Sequence, residues 1–222
     1  MESFDIKICT FNCCSLRKNI DLVRGLAASD FDIIFLQETF VTEDKLGLLD
    51  YIDENYDCFG VPAIFSEKSL VACAGRPEGG MAVLCKKNST FNIKKVVLED
   101  NFMILNVLLG DFSIILVNVY LNSDIWEVAT LNRYLQSLSA LDDIVSDMPF
   151  DSIYFIGDFN ADPHSGRAWN NLVNFVSRNS LKCFDVLSLP PDTFTFVGYG
   201  NSQSRWLDHI IGREHSNIEV GG

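Results

Sequence analysis

The tetrapeptide Gly157-Asp158-Phe159-Asn160 follows directly on the apolar run Ser152-Ile153-Tyr154-Phe155-Ile156. Such a run reads as a buried strand, which leaves its polar end at the mouth of a sheet. Residues two apart on a strand face one side, so the Asp158 carboxylate and the Asn160 carboxamide are expected together. Gly157 lets the backbone turn or a ligand come close. Other apolar runs end in comparable groups: Asn12 after Ile6-Lys7-Ile8-Cys9-Thr10-Phe11, Glu38 after Ile33-Ile34-Phe35-Leu36-Gln37, and Asp208 within Arg205-Trp206-Leu207-Asp208-His209-Ile210-Ile211. Carboxylates and carboxamides at strand ends can hold a hard cation, orient a water and donate to a phosphoryl oxygen. The set points to metal-assisted phosphoryl transfer.

Taken singly, each group also has a plainer reading. Asp158 and Asn160 fit an Asp-x-Asn turn held by its own side chains. Glu38 is either a solvated strand-end carboxylate or a metal ligand. Mg²⁺ binds through one or two carboxylates and keeps several waters, so Glu38 helped by Asp158 or Asp208 would be enough. Tyr120, closing Asn118-Val119-Tyr120, is an edge aromatic with its hydroxyl in water or a phosphate contact. Thr195, between Phe194 and Phe196, carries the same two readings. His209 follows Asp208 on a strand, so if Asp208 enters the site His209 faces the packing layer. His164 after Pro163, and His215 in Arg213-Glu214-His215-Ser216, read as surface residues.

The elements that must position these groups follow from pattern. Phe4, Ile6 and Ile8 alternate with Asp5 and Lys7 as in a strand. Ser15 is the expected cap of a helix from Leu16, with Ile20, Val23 and Ala27 on one face. Asp32 to Gln37 reads as a strand buried on both faces, and Thr42 as the start of a helix through Leu46, Leu49 and Ile52. Strands are expected at Met81 to Lys86, Asn92 to Leu98, Met103 to Leu109 and Ser113 to Tyr120, with Gly110-Asp111 as a tight hairpin between the last two. Ser123 is the expected cap of a long helix carrying Trp126, Leu131, Leu135, Leu138, Leu141 and Val145. Asp162-Pro163 resembles an N-cap and first-turn pair. Phe194, Phe196 and Ile210 are assigned to the final strands. The order βα, βα, a meander, a helix and more strands predicts two packed, largely antiparallel mixed sheets with helices outside. The meander breaks the alternation that a βα barrel requires.

Composition bounds the rest. The 222 residues contain no Pro/Gly/Ser-rich linker, which favours one domain over residues 1–222, and 48% hydrophobic content with 17 Phe supplies a large core. A net charge of −13 argues against a broad basic face for nucleic acid, although metal-site carboxylates are part of that sum. The N-terminus lacks a basic region followed by an apolar core, and no stretch has the ~18 uninterrupted apolar residues of a membrane span. The seven Cys are scattered through apolar runs and read as reduced, buried thiols, without the paired spacing of a zinc site. These features predict an intracellular protein, nuclear or cytoplasmic and not secreted, with no membrane partner.

Six segments occur in one order: Asn12 in Thr-Phe-Asn, Glu38 in Leu-Gln-Glu-Thr, Gly79-Gly80-Met81-Ala82-Val83-Leu84, Tyr120 in Asn-Val-Tyr, Gly157-Asp158-Phe159-Asn160, and Ser204-Arg205-Trp206-Leu207-Asp208-His209. Each alone is weak. Together they make the chain resemble the endonuclease/exonuclease/phosphatase superfamily across nearly all its length. Within it, the chain is most similar to the apurinic-endonuclease-type domain of non-LTR retrotransposons, with the Trp-Leu-Asp-His string resembling vertebrate chicken-repeat and related elements. The resemblance implies a four-layer α/β sandwich and Mg²⁺-dependent cleavage of DNA, with Mn²⁺ as a substitute ion. The cut would leave a 3′-hydroxyl that primes reverse transcription, with a reverse transcriptase domain as partner in a polyprotein. It further implies that Glu38 holds the metal with Asn12 nearby, and that Tyr120 and Asn160 contact the scissile phosphate. Asp158 would position the attacking water, Thr195 would line the DNA side and Asp208 would orient a catalytic His.

The sequence departs from that pattern in places. The family closes with a Ser-Asp-His motif on a further strand, and no segment here matches it; Glu214-His215 follows Asp208 too closely. The expectation is a C-terminally incomplete domain, missing the last strand, with little nuclease activity of its own. Cys14 and Ser15 stand where relatives often carry Asn or Asp and Gly, and Leu121-Asn122 replaces a small residue and Pro. Two rivals remain: another phosphoesterase of the same fold, of phosphoinositide phosphatase, sphingomyelinase or deadenylase type, or an inactive truncated remnant.

Overall fold

Strands that are apolar on both faces need cover on both, and the two longest such runs become interior strands. The computed structural model describes residues 5–65, 75–123, 127–198 and 203–214. Phe4, Trp126 and His215 lie outside them. The chain divides into two compact units, Met1–Gly110 and Asp111–Gly222.

In the first unit, β1 (Ile8–Asn12) runs parallel to β2 (Ile33–Gln37) through the crossover helix α1 (Leu16–Ala28). A parallel pair needs such a crossover. Every residue of β2 is buried. β4 (Met81–Lys86) lies antiparallel beside β2, and β3 (Tyr56–Val61) beside β4, giving the order β1-β2-β4-β3. Val23 and Ala27 of α1 pack with Ile34, Leu36 and Leu84, and Ile20 joins them partly buried. Gly80 enters β4 at φ 80°, where an added Cβ would lie 2.6 Å from Thr39 Oγ1, so glycine is required there. β5 (Asn92–Leu98) and β6 (Phe102–Leu109) pair antiparallel.

In the second unit, β7 (Phe112–Tyr120) runs parallel to β8 (Ser152–Asp158), joined by α2 (Val128–Asp147). β12 (Asp208–Arg213) lies antiparallel to β8, and β9 (Lys182–Cys183) to β12. Within this unit the strand order is β7-β8-β12-β9. α3 (Gly166–Arg178), α4 (Phe184–Ser188) and a small hairpin of β10 (Phe196–Val197) and β11 (Ser204–Arg205) complete the unit. The two main mixed sheets and their helices are those of the expected α/β sandwich fold.

Most strands lie where the sequence pattern puts them, but β1 runs Ile8–Asn12, beginning where the expected Phe4-to-Ile8 alternation ends, because pairing with β2 starts at Ile8 opposite Ile33; helix starts agree less well. α1 begins after Ser15, but Ser15 sits at φ 103° and makes no side-chain cap bond. The segment after Thr42 is a 3₁₀ helix, Glu43–Tyr51, rather than an α-helix. α2 begins at Val128 with Glu127 at its cap, not at Ser123. Its buried face uses Tyr134, Leu138, Leu141 and Ile144, while Leu135 is exposed. Asp162-Pro163 does not cap α3; Ser165 N–H donates to Asp162 O at 3.0 Å in a turn, and the helix starts at Gly166. Phe194 precedes β10 rather than lying in it. Cys13 and Cys85 are buried as expected, but Cys14 is exposed.

Candidate functional site

The first unit contributes the end of β1 and the residue after β2. Parallel pairing sets Asn12 opposite Gln37, one residue before Glu38. Glu38 takes φ 51° and leaves the strand. That bend is held by its neighbours: Ser15 N–H donates to Glu38 O at 2.8 Å, Leu16 N–H to Thr39 O at 3.0 Å, and Thr39 N–H to Gly80 O at 3.0 Å. The bend brings Glu38 Oε1 within 3.1 Å of Asn12 Nδ2, while Asn12 Oδ1 accepts from Cys14 N–H at 3.1 Å. Arg76 Nη2 lies 3.9 Å from Glu38 Oε2, and its guanidinium sits 3.9 Å from the centre of the Phe40 ring. The Glu38 side chain is 22% exposed, so its carboxylate is reachable from solvent. One reachable carboxylate next to a carboxamide is an all-oxygen donor set, which suits a hard divalent cation and not a soft one.

The second unit aligns three groups across three adjacent strands. Tyr120 pairs with Asp158 in the parallel register, and Asp208 pairs with Asp158 in the antiparallel one. Directly paired residues present their side chains to one face. Asp158, the last residue of β8, is buried, with Tyr120 and Asp208 half-buried beside it.

Asn160 joins them differently from the sequence expectation. It lies off the strand at φ 49°, in a turn where its N–H donates to Asp158 Oδ1 at 2.9 Å and its Nδ2 to Leu121 O at 2.8 Å. The local Asp-x-Asn turn is therefore real, and it delivers the carboxamide beside the carboxylate. A carboxamide nitrogen has two hydrogens, so the one given to Leu121 leaves a second for another acceptor. Thr195 acts on β12: its Oγ1 accepts from Leu207 N–H at 3.0 Å and Asp208 N–H at 3.1 Å. Tyr134 O–H donates to Phe159 O at 3.2 Å, a support that the sequence did not reveal because Tyr134 lies mid-helix among aliphatic residues.

His209 faces the packing layer, as strand alternation requires, and is fully buried. Its Nδ1 is 2.8 Å from Asp185 Oδ2 and its Nε2 is 2.7 Å from Ala161 O. Asp185 Oδ1 accepts from Ile210 N–H at 3.0 Å and from the Cys183 thiol at 3.2 Å. Burial alone would raise the Asp185 carboxyl, but the bond and charge of His209, with the Ile210 and Cys183 donors, hold it below the ordinary range. His164, expected at the surface, is exposed and bonds Pro191 O through Nε2.

The sequence profile of the Endonuclease/Exonuclease/phosphatase family matches residues 9–221. The chain belongs to this family. Solved structures with the same endonuclease/exonuclease/phosphatase fold include an AP endonuclease from Archaeoglobus fulgidus, at TM-score 0.70 and 19% identity over 94% of this chain and 86% of that one. A humanized D. rerio TDP2 aligns at TM-score 0.66 and 16% identity, over 96% and 85% of the two chains. The 3′ phosphatase NExo from Neisseria, bound to a product DNA hairpin, aligns at TM-score 0.65 and 16% identity, over 94% and 86%. No curated protein matches the sequence. As a family member the chain is a phosphoester hydrolase by class, and nucleases of the family generally use divalent metals. No helix among the described residues is long and apolar enough to cross a membrane.

Proposed function

We propose that this chain is a Mg²⁺-dependent DNA endonuclease of the non-LTR retrotransposon type, which nicks target DNA to leave a 3′-hydroxyl primer for a reverse transcriptase domain of the same polyprotein. It works inside the cell, in the nucleus or cytoplasm. The observation that carries the reading is the registration of Tyr120, Asp158 and Asp208 on neighbouring strands, with Asn160 delivered next to them by the following turn.

Each side chain then has one task. Glu38, with Asn12 bonded to it, would hold a divalent ion, which would supply Lewis-acid polarisation of a phosphoryl oxygen. Asp158 orients the attacking water and takes its proton. The second Nδ2 hydrogen of Asn160 and the Tyr120 hydroxyl donate to the phosphoryl oxygens as charge develops. Asp208 accepts a ring N–H from the family's closing His and so orients it. Thr195 fixes the backbone before Asp208 and lines the DNA side.

The test is nicking of supercoiled plasmid with Mg²⁺ by a version of the chain carried on through the family's Ser-Asp-His strand. Glu38→Ala and Asn160→Ala should each abolish nicking with the circular dichroism of the parent. A parent that leaves the plasmid intact but hydrolyses phosphoinositides, sphingomyelin or poly(A) would move the substrate to the rival phosphoesterases. A parent inactive on all of these would favour the remnant.

A further inference from the structure

We propose that His209 is a positioning residue for the Asn160 turn: its Nε2–H, donated to the Ala161 carbonyl at 2.7 Å, holds that turn against β12, and Asp185 fixes the ring from its Nδ1 side. The inference rests on the nuclease reading only for its activity arm. A backbone carbonyl can only accept, so Nε2 must be the protonated nitrogen. On its other side the ring is held by Asp185, whose Oδ2 lies 2.8 Å from Nδ1. Asp185 itself is fixed by Ile210 N–H and the Cys183 thiol, so the ring cannot rotate without breaking several bonds. Phe159, Trp169 and Trp206 enclose the ring, with centroids at 6.0, 5.4 and 6.1 Å, and keep water from competing for Ala161 O.

The position of this contact matters more than its strength. Asp208 and His209 are neighbours on β12, and they face opposite sides. Asp208 is registered to Asp158, while His209 reaches round the packing side to Ala161, one residue after Asn160. Asn160 sits at φ 49°, in the left-handed region that Asn enters more readily than other non-glycine residues, so the turn is fixed less by strain than by what its flanking carbonyls bond to. With Phe159 O taken by Tyr134 and Ala161 O by His209, the carbonyls on both sides of Asn160 are pinned. Cys183, Asp185 and His209 also have ligand atoms close enough to surround an ion. The direct 2.8 Å contact between Nδ1 and Oδ2 fills that space with a hydrogen bond instead.

The experiment compares His209→Phe with Asp185→Asn. In Asp185→Asn the new carboxamide can donate to Nδ1, which keeps the Nε2–H tautomer and the Ala161 bond. Imidazole nitrogen NMR of the parent and of Asp185→Asn should therefore both report a protonated Nε2. The amide signals of Asn160 and Ala161 should move in His209→Phe and stay near the parent in Asp185→Asn. In plasmid nicking, His209→Phe should lower kcat by about 10²-fold with little change in KM, as expected for a displaced reacting group, while Asp185→Asn keeps most of the parent kcat. His209→Gln, whose amide donates toward the same carbonyl, should keep the Asn160 signal near the parent; if His209→Phe does not fold, His209→Leu, which also lacks the donor, serves in its place. An unprotonated Nε2 in the parent, or unmoved Asn160 and Ala161 signals in His209→Phe, would overturn the proposal whatever the substrate turns out to be. A moved Asn160 signal with no nicking by the parent would keep the positioning role and overturn only the nuclease reading.

Discussion

The Glu38 bend and the Asn160 turn both place a polar side chain at φ near 50°, but they are held in different ways. At Glu38 the support is backbone to backbone, from Ser15, Leu16 and Gly80, and the carboxylate projects from it partly exposed. At Asn160 buried side chains add to the backbone bonds of Phe159 N–H and Leu121 N–H: Tyr134 on one flanking carbonyl, His209 on the other, and the Asp158 carboxylate on the N–H. The first arrangement leaves a reachable anion; the second fixes a donor in place. A cation arriving from water needs the former, and a group that must meet developing charge without reorganising needs the latter.

The largest effects should fall on the reacting groups and should separate the two regions. Glu38→Gln removes the charge while keeping the Asn12 bond, so Mg²⁺-dependent nicking should fall steeply and titration calorimetry should show weaker Mg²⁺ binding. Asp158→Asn keeps an acceptor for the Asn160 N–H, so the fold should hold while the rate drops by about 10²–10⁴-fold, the usual loss for a general base. Retained Mg²⁺ affinity in Glu38→Gln, or near-parent nicking in Asp158→Asn, would break the division of labour.

Intermediate effects should fall on the supports of the second region. Tyr134→Phe removes the bond to Phe159 O and should cost about 1–3 kcal/mol in urea unfolding, because a buried carbonyl loses its donor. Acid should act through Asp185. Its carboxyl in the folded protein lies below its ordinary value, so its contribution to stability is complete above about pH 4–5, where the unfolded carboxyl is also ionised, and is lost as pH falls through the folded value. Stability measured by urea from neutral to strongly acid pH should therefore decline less steeply in Asp185→Asn than in the parent. An identical decline in both would show that other carboxylates carry the acid sensitivity.

The same contrast explains what the sequence allowed to be read. Strand ends were legible because apolar runs stop abruptly: Asp158 closes β8 and Tyr120 closes β7, where expected. Their register was not legible, because nothing in the sequence paired Tyr120 or Asp208 with Asp158. Helix starts were obscured because Asp162-Pro163 and Ser123 carry cap-like side chains but sit in turns or before the helix. β3 was missed because Tyr56-Asp57-Cys58-Phe59-Gly60-Val61 carries Asp57 and Gly60, residues that disfavour a strand. Most hidden of all was Asp185, which lies on a five-residue helix and meets His209 from 24 positions away. Strand alternation placed His209 in the packing layer but could not name its partner.

The smallest expected effect is chemical and reads both regions at once. Cys14 is exposed; its N–H donates to Asn12 Oδ1, and its Sγ lies 3.9 Å from Arg76 Nη2, next to Glu38. Cys183 belongs to the buried Asp185–His209 network, where burial and the Asp185 charge push its thiol upward. Burial pushes Cys13 and Cys85 up to about 12. Only the thiolate alkylates, and each unit of upward shift cuts its share about tenfold. In native protein at mildly alkaline pH, peptide mass mapping after brief iodoacetamide treatment should show Cys14 modified well before Cys13, Cys85 or Cys183. The adduct at Cys14 should weaken nicking modestly, by crowding the approach to Glu38, and should leave the Asn160 amide signal unmoved. Labelling of Cys183 as fast as Cys14 would mean that the network around His209 opens readily, and the contrast between a reachable anion and a fixed donor would not hold.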